Sequence, residues 1–136
     1  HPAPRPRQNM CFSGFLPVVE ALRRGTRLSF CLDTGSATTH LFPPFHRRYY
    51  GELSEHALLR ESLIGGVGDS RRVRVRIMNE LRLQAGGKDI SLNNVFVHVD
   101  VTHAETSDYH GTLGIDVLAK CARLTCNFES MSFMLE

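Results

Sequence analysis

Residues 30–36 have the sequence FCLDTGS, in which an apolar segment typical of a strand ends at Asp33 and is followed at once by Thr34, Gly35 and Ser36. A carboxylate at a strand end can accept hydrogen bonds from the backbone N–H groups and hydroxyls of the turn after it. Gly35 leaves room for another backbone to approach closely, because glycine has no side chain. Asp and Gly are also ordinary turn residues, so the motif alone does not separate a catalytic acid from a simple turn.

Two further segments give this motif a context. Residues 62–69 (SLIGGVGD) are rich in glycine and lead into residues 71–77, where apolar side chains alternate with arginines. This pattern predicts a glycine-tipped β-hairpin. Residues 111–118 (GTLGIDVL) combine a short apolar strand, a glycine and the start of a helix. We interpret Asp116 there as the N-cap of the helix rather than as a second catalytic acid.

The order and spacing of these three segments resemble the retropepsin-like aspartic peptidases, both the retroviral proteases and their bacterial relatives. The resemblance extends over residues 15–135. It implies an all-β, closed-barrel-like lobe with one or two short helices.

The resemblance also implies a role for each matching residue. Asp33 would be the catalytic carboxylate, Thr34 would interlock with its counterpart across a two-fold axis, and Gly35 would bind the substrate main chain. Ser36 would hydrogen-bond the outer oxygen of Asp33. Six residues would form the flap that closes over the substrate: Ile64, Gly65, Gly66, Val67, Gly68 and Asp69. Two residues would pack beneath the acid loop in a psi-shaped crossing: Leu113 and Gly114.

The implied activity is that of an aspartic endopeptidase acting on an extended polypeptide, without a cofactor. Such a site needs two aspartates, one ionised and one protonated. The chain has a single Asp-Thr-Gly, so we expect the second acid to come from a homodimer partner or from a second lobe outside this chain. Retroviral chains end near the equivalent of Asn127 and Phe128 and form their dimer interface there. Because residues 129–136 continue here, we expect a differently built dimer contact.

Two other functions stay open at this point. A non-catalytic peptide-binding or dimerisation module could have the same fold, and a polyanion-binding domain could use the arginines of residues 71–77. The chain has 16 Lys+Arg against 14 Asp+Glu, a net charge of +2. That small excess favours a solvated strand face, and we expect no nucleic-acid partner.

Several other residues have side chains that could react or bind metal. Four lie close enough in sequence to suggest a metal site: His98, Asp100, His103 and His110. The last two fall in a loop that need not return to the strand, and we expect no metal. The cysteines lack paired C-x-x-C spacing, so one disulfide and four free thiols both fit the sequence. Cys31 is predicted to be an inert buried thiol.

The remaining predictions concern boundaries and location. We expect a Pro/Arg-rich linker or arm over residues 1–10 and one domain over residues 11–136. No apolar run approaches the ~20 residues needed to cross a bilayer, so a membrane tether would lie outside this chain. An exported or periplasmic location is favoured over a cytoplasmic one. Further elements are predicted as a hairpin (15–22 with 26–32), a helical segment (45–59), a turn (86–89), a strand (90–101) and a last hairpin (123–128 with 132–135).

Overall fold

The computed structural model describes residues 7–64, 71–100 and 108–136. Within these ranges the chain forms ten strands and three short helices, which confirms the predicted all-β class. The strands are β1 (Met10–Ser13), β2 (Leu16–Arg23), β3 (Thr26–Leu32), β4 (His40–Leu41), β5 (Leu58–Ile64), β6 (Arg71–Ala85), β7 (Lys88–His98), β8 (Gly111–Leu113), β9 (Leu124–Asn127) and β10 (Ser132–Leu135). The helices are α1 (Pro43–Arg48), α2 (Tyr50–His56) and α3 (Ile115–Leu118).

Eight strands form one sheet in the order β1-β2-β3-β8-β4-β7-β6-β5, and β9 and β10 form a separate hairpin. The first half of β2 pairs with β1, through Met10 opposite Val19. Its second half pairs with the end of β6, through Ala21 opposite Ala85. Because β2 has neighbours at both ends of the strand order, the sheet closes on itself in a barrel-like form.

The core lies on the inner face of this closed sheet. In-register residues of adjacent strands point to the same face, and one such row crosses β3, β8, β4 and β7. Its members are Phe30, Gly111, Leu41 and Val97. All four are buried, and the three side chains have 0% exposure. This row therefore marks the inner face, and the residues beside it along each strand point outward.

A buried arginine anchors the helices to the sheet. Arg23 at the end of β2 is 4% exposed and makes two hydrogen bonds of 2.9 and 2.7 Å to the carboxylate of Glu52 on α2. Its guanidinium also lies 4.3 Å from the ring centroid of Tyr49, which separates α1 from α2. These hydrogen bonds hold the pKa of Glu52 below its usual range. The charge that Arg23 brings into the interior is thus paired, as a buried charge must be.

Most local predictions are confirmed, and the middle helix is the main correction. The hairpin of β2 and β3, the glycine turn before β7 and the last hairpin form as expected. The helical segment begins at Pro43 instead of residue 45 and ends at His56, and it is divided into two short helices, α1 and α2. Proline is tolerated in the first helical turn because its missing N–H has no intrahelical partner there. Residues 58 and 59 belong to β5.

The first and last strands of the domain are joined. The Asn9 side chain donates to the carbonyl of Phe133 (3.0 Å) and accepts from its N–H (2.7 Å). The backbone N–H groups of Asn9 and Met10 both donate to the carbonyl of Met131 at 3.1 Å. Met10 is 3% exposed. The boundary predicted between residues 10 and 11 therefore falls inside β1, because Met10 already packs in the core.

Candidate active site

Asp33 lies where two parallel strands end side by side. The pairing of β3 with β8 runs to Leu32 opposite Leu113, and the backbone N–H of Asp33 donates to the carbonyl of Leu113 at 3.0 Å. The backbone of the acid is thus fixed by a neighbouring strand, while its side chain is exposed. This arrangement presents a carboxylate to solvent on a firmly held main chain.

The acid loop, residues 33–36, turns back on itself through short hydrogen bonds. The N–H of Gly35 donates to Oδ1 of Asp33 at 2.9 Å, and the N–H of Ser36 donates to the Asp33 carbonyl at 3.3 Å. Thr34 is exposed beside them. The Ser36 hydroxyl, expected to bond the outer oxygen of Asp33, donates instead to the Thr38 carbonyl at 2.8 Å. The hydroxyl is thus engaged within the turn, and the bond predicted between Ser36 and Asp33 is not formed in this single chain.

Gly114 supports the loop from below. The N–H of the next residue, Ile115, donates to the Ser36 carbonyl at 2.8 Å. A Cβ added at Gly114 would lie only 2.7 Å from the Ser36 carbonyl oxygen and from backbone atoms of Thr38. Leu113, which precedes it, is 1% exposed in the core. The structure therefore brings the two residues predicted to lie beneath the acid loop into direct contact with it.

Asp116 and Thr39 form a clamp that the sequence did not reveal. The carboxylate of Asp116 accepts from the Thr39 N–H (2.9 Å) and from its hydroxyl (2.7 Å). The Thr39 hydroxyl oxygen in turn accepts from the N–H of Gly114 at 3.1 Å. Gly114 is the N-cap of α3, so the N-cap interpretation of Asp116 is wrong. Asp116 lies in the first turn, where it still accepts from the Val117 N–H at 2.9 Å.

A polar wall continues outward from the acid on the same face of the sheet. Cys31, two residues before Asp33, is in register with Thr112, which is in register with His40, which is in register with Phe96. This row lies next to the buried row and points to the opposite face. Burial, and next the negative charge of Asp33, raise the pKa of Cys31. This keeps Cys31 in the unreactive thiol form, as predicted from its apolar neighbours.

A histidine pair completes this wall. Nδ1 of His40 lies 3.1 Å from Nε2 of His98, and Nε2 of His40 lies 2.9 Å from the Thr38 hydroxyl. Burial lowers the pKa of both imidazoles. The neighbouring His40 lowers the pKa of His98 further, whereas Asp116 partly offsets the burial of His40. In a neutral imidazole one ring nitrogen donates a hydrogen bond and the other accepts one. The contact between His40 and His98 is therefore a hydrogen bond from the N–H of one ring to the bare nitrogen of the other, and not an ion pair.

Comparison with known proteins gives a match at the level of structure. No protein-family model matches the sequence, and a search of curated proteins gives no match. A retropepsin-like aspartic protease from Rickettsia conorii matches with a TM-score of 0.50 and 13% identity, over 82% of this chain and 76% of that one. The chain has a retropepsin-like fold. EIAV protease complexed with the inhibitor HBY-793 also matches, with a TM-score of 0.47 and 23% identity over 77% of this chain and 86% of that one.

The predicted flap of the retropepsin-like fold is described only at its base. Residues 65–69 lie outside the described residues, and Ile64 is the last residue of β5. The antiparallel pairing of β5 with β6 runs from Leu58 opposite Ile77 to Ile64 opposite Arg71. The two strands that lead to the predicted flap are therefore paired along the whole length of β5.

The residues suggested as metal ligands make separate contacts. His98 bonds His40, Asp100 accepts three hydrogen bonds of 2.8–3.2 Å from Arg74, and His110 accepts from the Ser29 N–H at 3.1 Å. His103 lies outside the described residues. In the described part of the chain no group of three or more His, Cys, Asp or Glu is placed to hold a metal ion. All four cysteines are free thiols.

The arginine-rich strand is partly engaged within the chain. Arg74 pairs with Asp100, and Arg76 donates to His46 (3.2 Å) and to the carbonyl of Ala57 (3.1 Å). Arg72 lies 3.7 Å from the carboxylate of Glu61 on β5, and Arg82 donates to Glu80 at 2.7 Å. No helix in the described ranges is long and apolar enough to span a bilayer.

Proposed function

We propose that this chain is one lobe of an aspartic endopeptidase in which Asp33 is the catalytic acid. The observation that carries the proposal is the position of Asp33, whose main chain is bonded to β8 while its side chain is exposed. Among the described residues, the Gly35 N–H is the one hydrogen-bond donor to its carboxylate. One carboxylate oxygen is therefore left open toward a substrate.

The proposed mechanism uses two copies of Asp33, brought together by a homodimer or by a second lobe. The ionised copy accepts a proton from water as the water oxygen attacks the scissile carbonyl carbon, and the protonated copy donates its proton to the carbonyl oxygen. Collapse of the resulting diol breaks the C–N bond: the leaving nitrogen takes a proton from the acid that had accepted one, and the other acid, now ionised, takes a proton from a diol hydroxyl as the carboxylic acid product forms. One ionised and one protonated copy are thereby restored. Two close carboxyl groups favour the singly protonated state, because two negative charges at that distance repel.

The substrate of this site would be an extended polypeptide lying between the acid loop and residues 64–69. Gly35 would let the substrate main chain approach, and Thr34 would face its counterpart near the two-fold axis. Leu113 and Gly114 would hold the loop from below, in keeping with the contacts described above. Residues 64–69 would act as the flap, with glycine supplying the backbone freedom that closure requires.

Asp33→Asn is the direct test. Asparagine retains an oxygen that can accept the Gly35 N–H, so we expect the melting temperature to change little. Peptide hydrolysis should fall by about 10³-fold or more, because the ionisable group is gone. Hydrolysis is measured by mass spectrometry on a mixed peptide library over a range of pH.

Asp89→Asn provides the matched control, since Asp89 is an exposed acid at the far end of the β6–β7 hairpin. It should leave hydrolysis unchanged. Wild-type chain that binds library peptides without cleaving any would favour the non-catalytic binding module instead. Full activity in a pure preparation of Asp33→Asn would refute the assignment.

A further inference from the structure

An open recess on the outer face of the sheet lies away from the acid loop. It has a volume of about 610 Å³ and is lined by residues 7–11, 18–20 and 27–29, and by His110 just before β8. Pockets of this size commonly hold small organic ligands. Ser29 lies four residues before Asp33 on β3, so about 13 Å of strand separates the recess from the acid. The recess is therefore a second candidate binding site on this chain.

The strand register orders the side chains along the recess. Val18 on β2 is opposite Cys31 on β3, which points to the outer face of the sheet. Glu20 and Ser29 form the next outward row, two residues further along each strand. Arg27 is two residues beyond Ser29 and points to the same face. The recess thus runs from an apolar end at Val18, which is buried, to a charged end at Arg27.

The charged end has one positive charge in excess. Nη2 of Arg7 lies 3.4 Å from Oε1 of Glu20, and Nε of Arg27 lies 3.9 Å from the same oxygen. The two arginine side chains are 60% and 65% exposed, so their other N–H groups stay open to solvent. Two arginines against one glutamate leave a net charge of +1 in this lining, which a single carboxylate would balance. The planar guanidinium of arginine binds carboxylates through paired N–H groups.

His110 adds a neutral hydrogen-bond donor to the wall of the recess. The Ser29 N–H donates to Nδ1 of His110 at 3.1 Å, so in the neutral ring the proton is on Nε2. Burial, and next the positive charge of Arg48 on α1, lower the pKa of His110 below its usual value of about 6.5. The ring is therefore neutral at pH 7, and its Nε2–H is a donor that adds no charge.

We propose that this recess is a binding site for an organic carboxylate with an apolar body. The carboxylate would lie among Arg7, Arg27 and His110, and the apolar body would cover Val18. Two sources have this chemistry: a fatty acid, and the free C terminus of a peptide that ends in apolar residues. The single excess charge and the apolar end favour such a ligand over inorganic phosphate, which has no apolar group. The site does not include Asp33, so the inference does not depend on the proposed function.

The test follows the backbone amide NMR signals of the ¹⁵N-labelled Asp33→Asn chain, so that a peptide probe is not cleaved. Decanoate and acetyl-Val-Leu-Leu with a free C terminus are the two probes, and a probe that binds in the recess should shift the signals of Glu20 and Ser29. The C-terminal amide of the peptide lacks the charge, and inorganic phosphate lacks the apolar body. Each should bind at least about 10-fold more weakly than the corresponding carboxylate. Binding of one probe identifies the source of the ligand, and binding of both supports the shared chemistry.

Two variants with opposite expected effects test the charge arrangement. Arg27→Gln removes a guanidinium and should raise the dissociation constant of decanoate by about 10-fold, the effect of losing a hydrogen bond to a charged group. Glu20→Gln removes the competing carboxylate and should lower the constant. Arg60→Gln, at an exposed position on β5, is the matched control and should leave it unchanged.

Three results would overturn the inference. The first is the absence of shifts with both probes at about 1 mM. The second is phosphate that binds as tightly as decanoate, or a dissociation constant that Arg27→Gln leaves unchanged. The third is a set of shifts confined to residues 33–36, which would place the ligand in the candidate active site. Arg27 is exposed and its closest acidic contact is at 3.9 Å, so its replacement should not unfold the chain.

Discussion

Asp33 depends on its neighbours for position. Its N–H bonds β8, its Oδ1 accepts from Gly35, and the turn behind it is held by the clamp of Asp116 and Thr39. Asp116 and Thr39 are 77 positions apart, and the sequence alone does not show that they are in contact. A hydrogen bond between an acid and a hydroxyl residue can be predicted from sequence only when the two residues are close along the chain.

The histidine pair leads to a prediction about stability and pH. Burial lowers the folded-state pKa of His40 and His98 below the unfolded value of about 6.5. Below that pH the unfolded chain binds more protons than the folded chain, so stability is complete above pH 6.5 and is lost as the pH falls toward the folded pKa values. The free energy of unfolding in urea should therefore decrease from pH 7 to pH 5.

The variant His98→Phe tests the origin of this slope. It removes one of the four histidines whose pKa burial lowers, so part of the slope should disappear while the contribution of the other three, His40, His46 and His110, is retained. His56→Phe, at an exposed position on α2, is the control and should leave the slope in place. An identical slope in the parent and in His98→Phe would show that the pair does not carry the effect.

At the level of elements, local patterns predicted the antiparallel hairpins well. The alternation of Val73 and Val75 with arginines gave β6, and Gly86 and Gly87, with φ of 56° and 81°, form the turn that glycine allows. The short strand β4 lies in a segment, residues 38–42, whose composition is β-prone, but its partners could not be derived from the sequence, because its two residues pair with β7 and β8, more than 50 residues away. The polar wall that contains His40 could not be derived from sequence for the same reason.

The crossing of α3 beneath the acid loop gives a prediction at this level. Gly114→Ala places a methyl group 2.7 Å from backbone atoms of Ser36 and Thr38, which cannot move without shifting the loop. We expect a loss of about 1–3 kcal/mol in the free energy of unfolding, together with reduced hydrolysis.

Gly51→Ala is the same substitution in open space on α2. It should stabilise the chain by about 0.5–1 kcal/mol, because alanine favours helix. Both values come from urea unfolding. If Gly114→Ala proved as stable as the parent, the close packing beneath the loop would not hold in solution.

At the scale of the whole molecule, the sequence predicted a lobe that needs a second acid, because the chain contains a single Asp-Thr-Gly. If two copies of the chain supply the two acids, the hydrolysis measured in mixtures of active and inactive chains can be predicted. Mixing wild-type and Asp33→Asn chains at equal concentration should reduce hydrolysis per wild-type chain to about half, since random pairing leaves half of these chains with an inactive partner.

Dilution distinguishes the homodimer from a second lobe. A homodimer loses specific activity as the chain falls below its dissociation constant, whereas a chain that lacks its second lobe is inactive at every concentration. A monomer with constant specific activity would contradict both and would direct attention to other acids of this chain, Asp116 first.

The bonds between Asn9 and Phe133 have a topological consequence. They place the start of β1 beside β10, so a polypeptide that enters the domain leaves it at nearly the same point. Such a domain can be inserted into a surface loop of a host protein, or circularly permuted with a new opening elsewhere, without unravelling its barrel. The two hydrogen bonds between Asn9 and Phe133 thus hold the entry and exit of the closed sheet side by side.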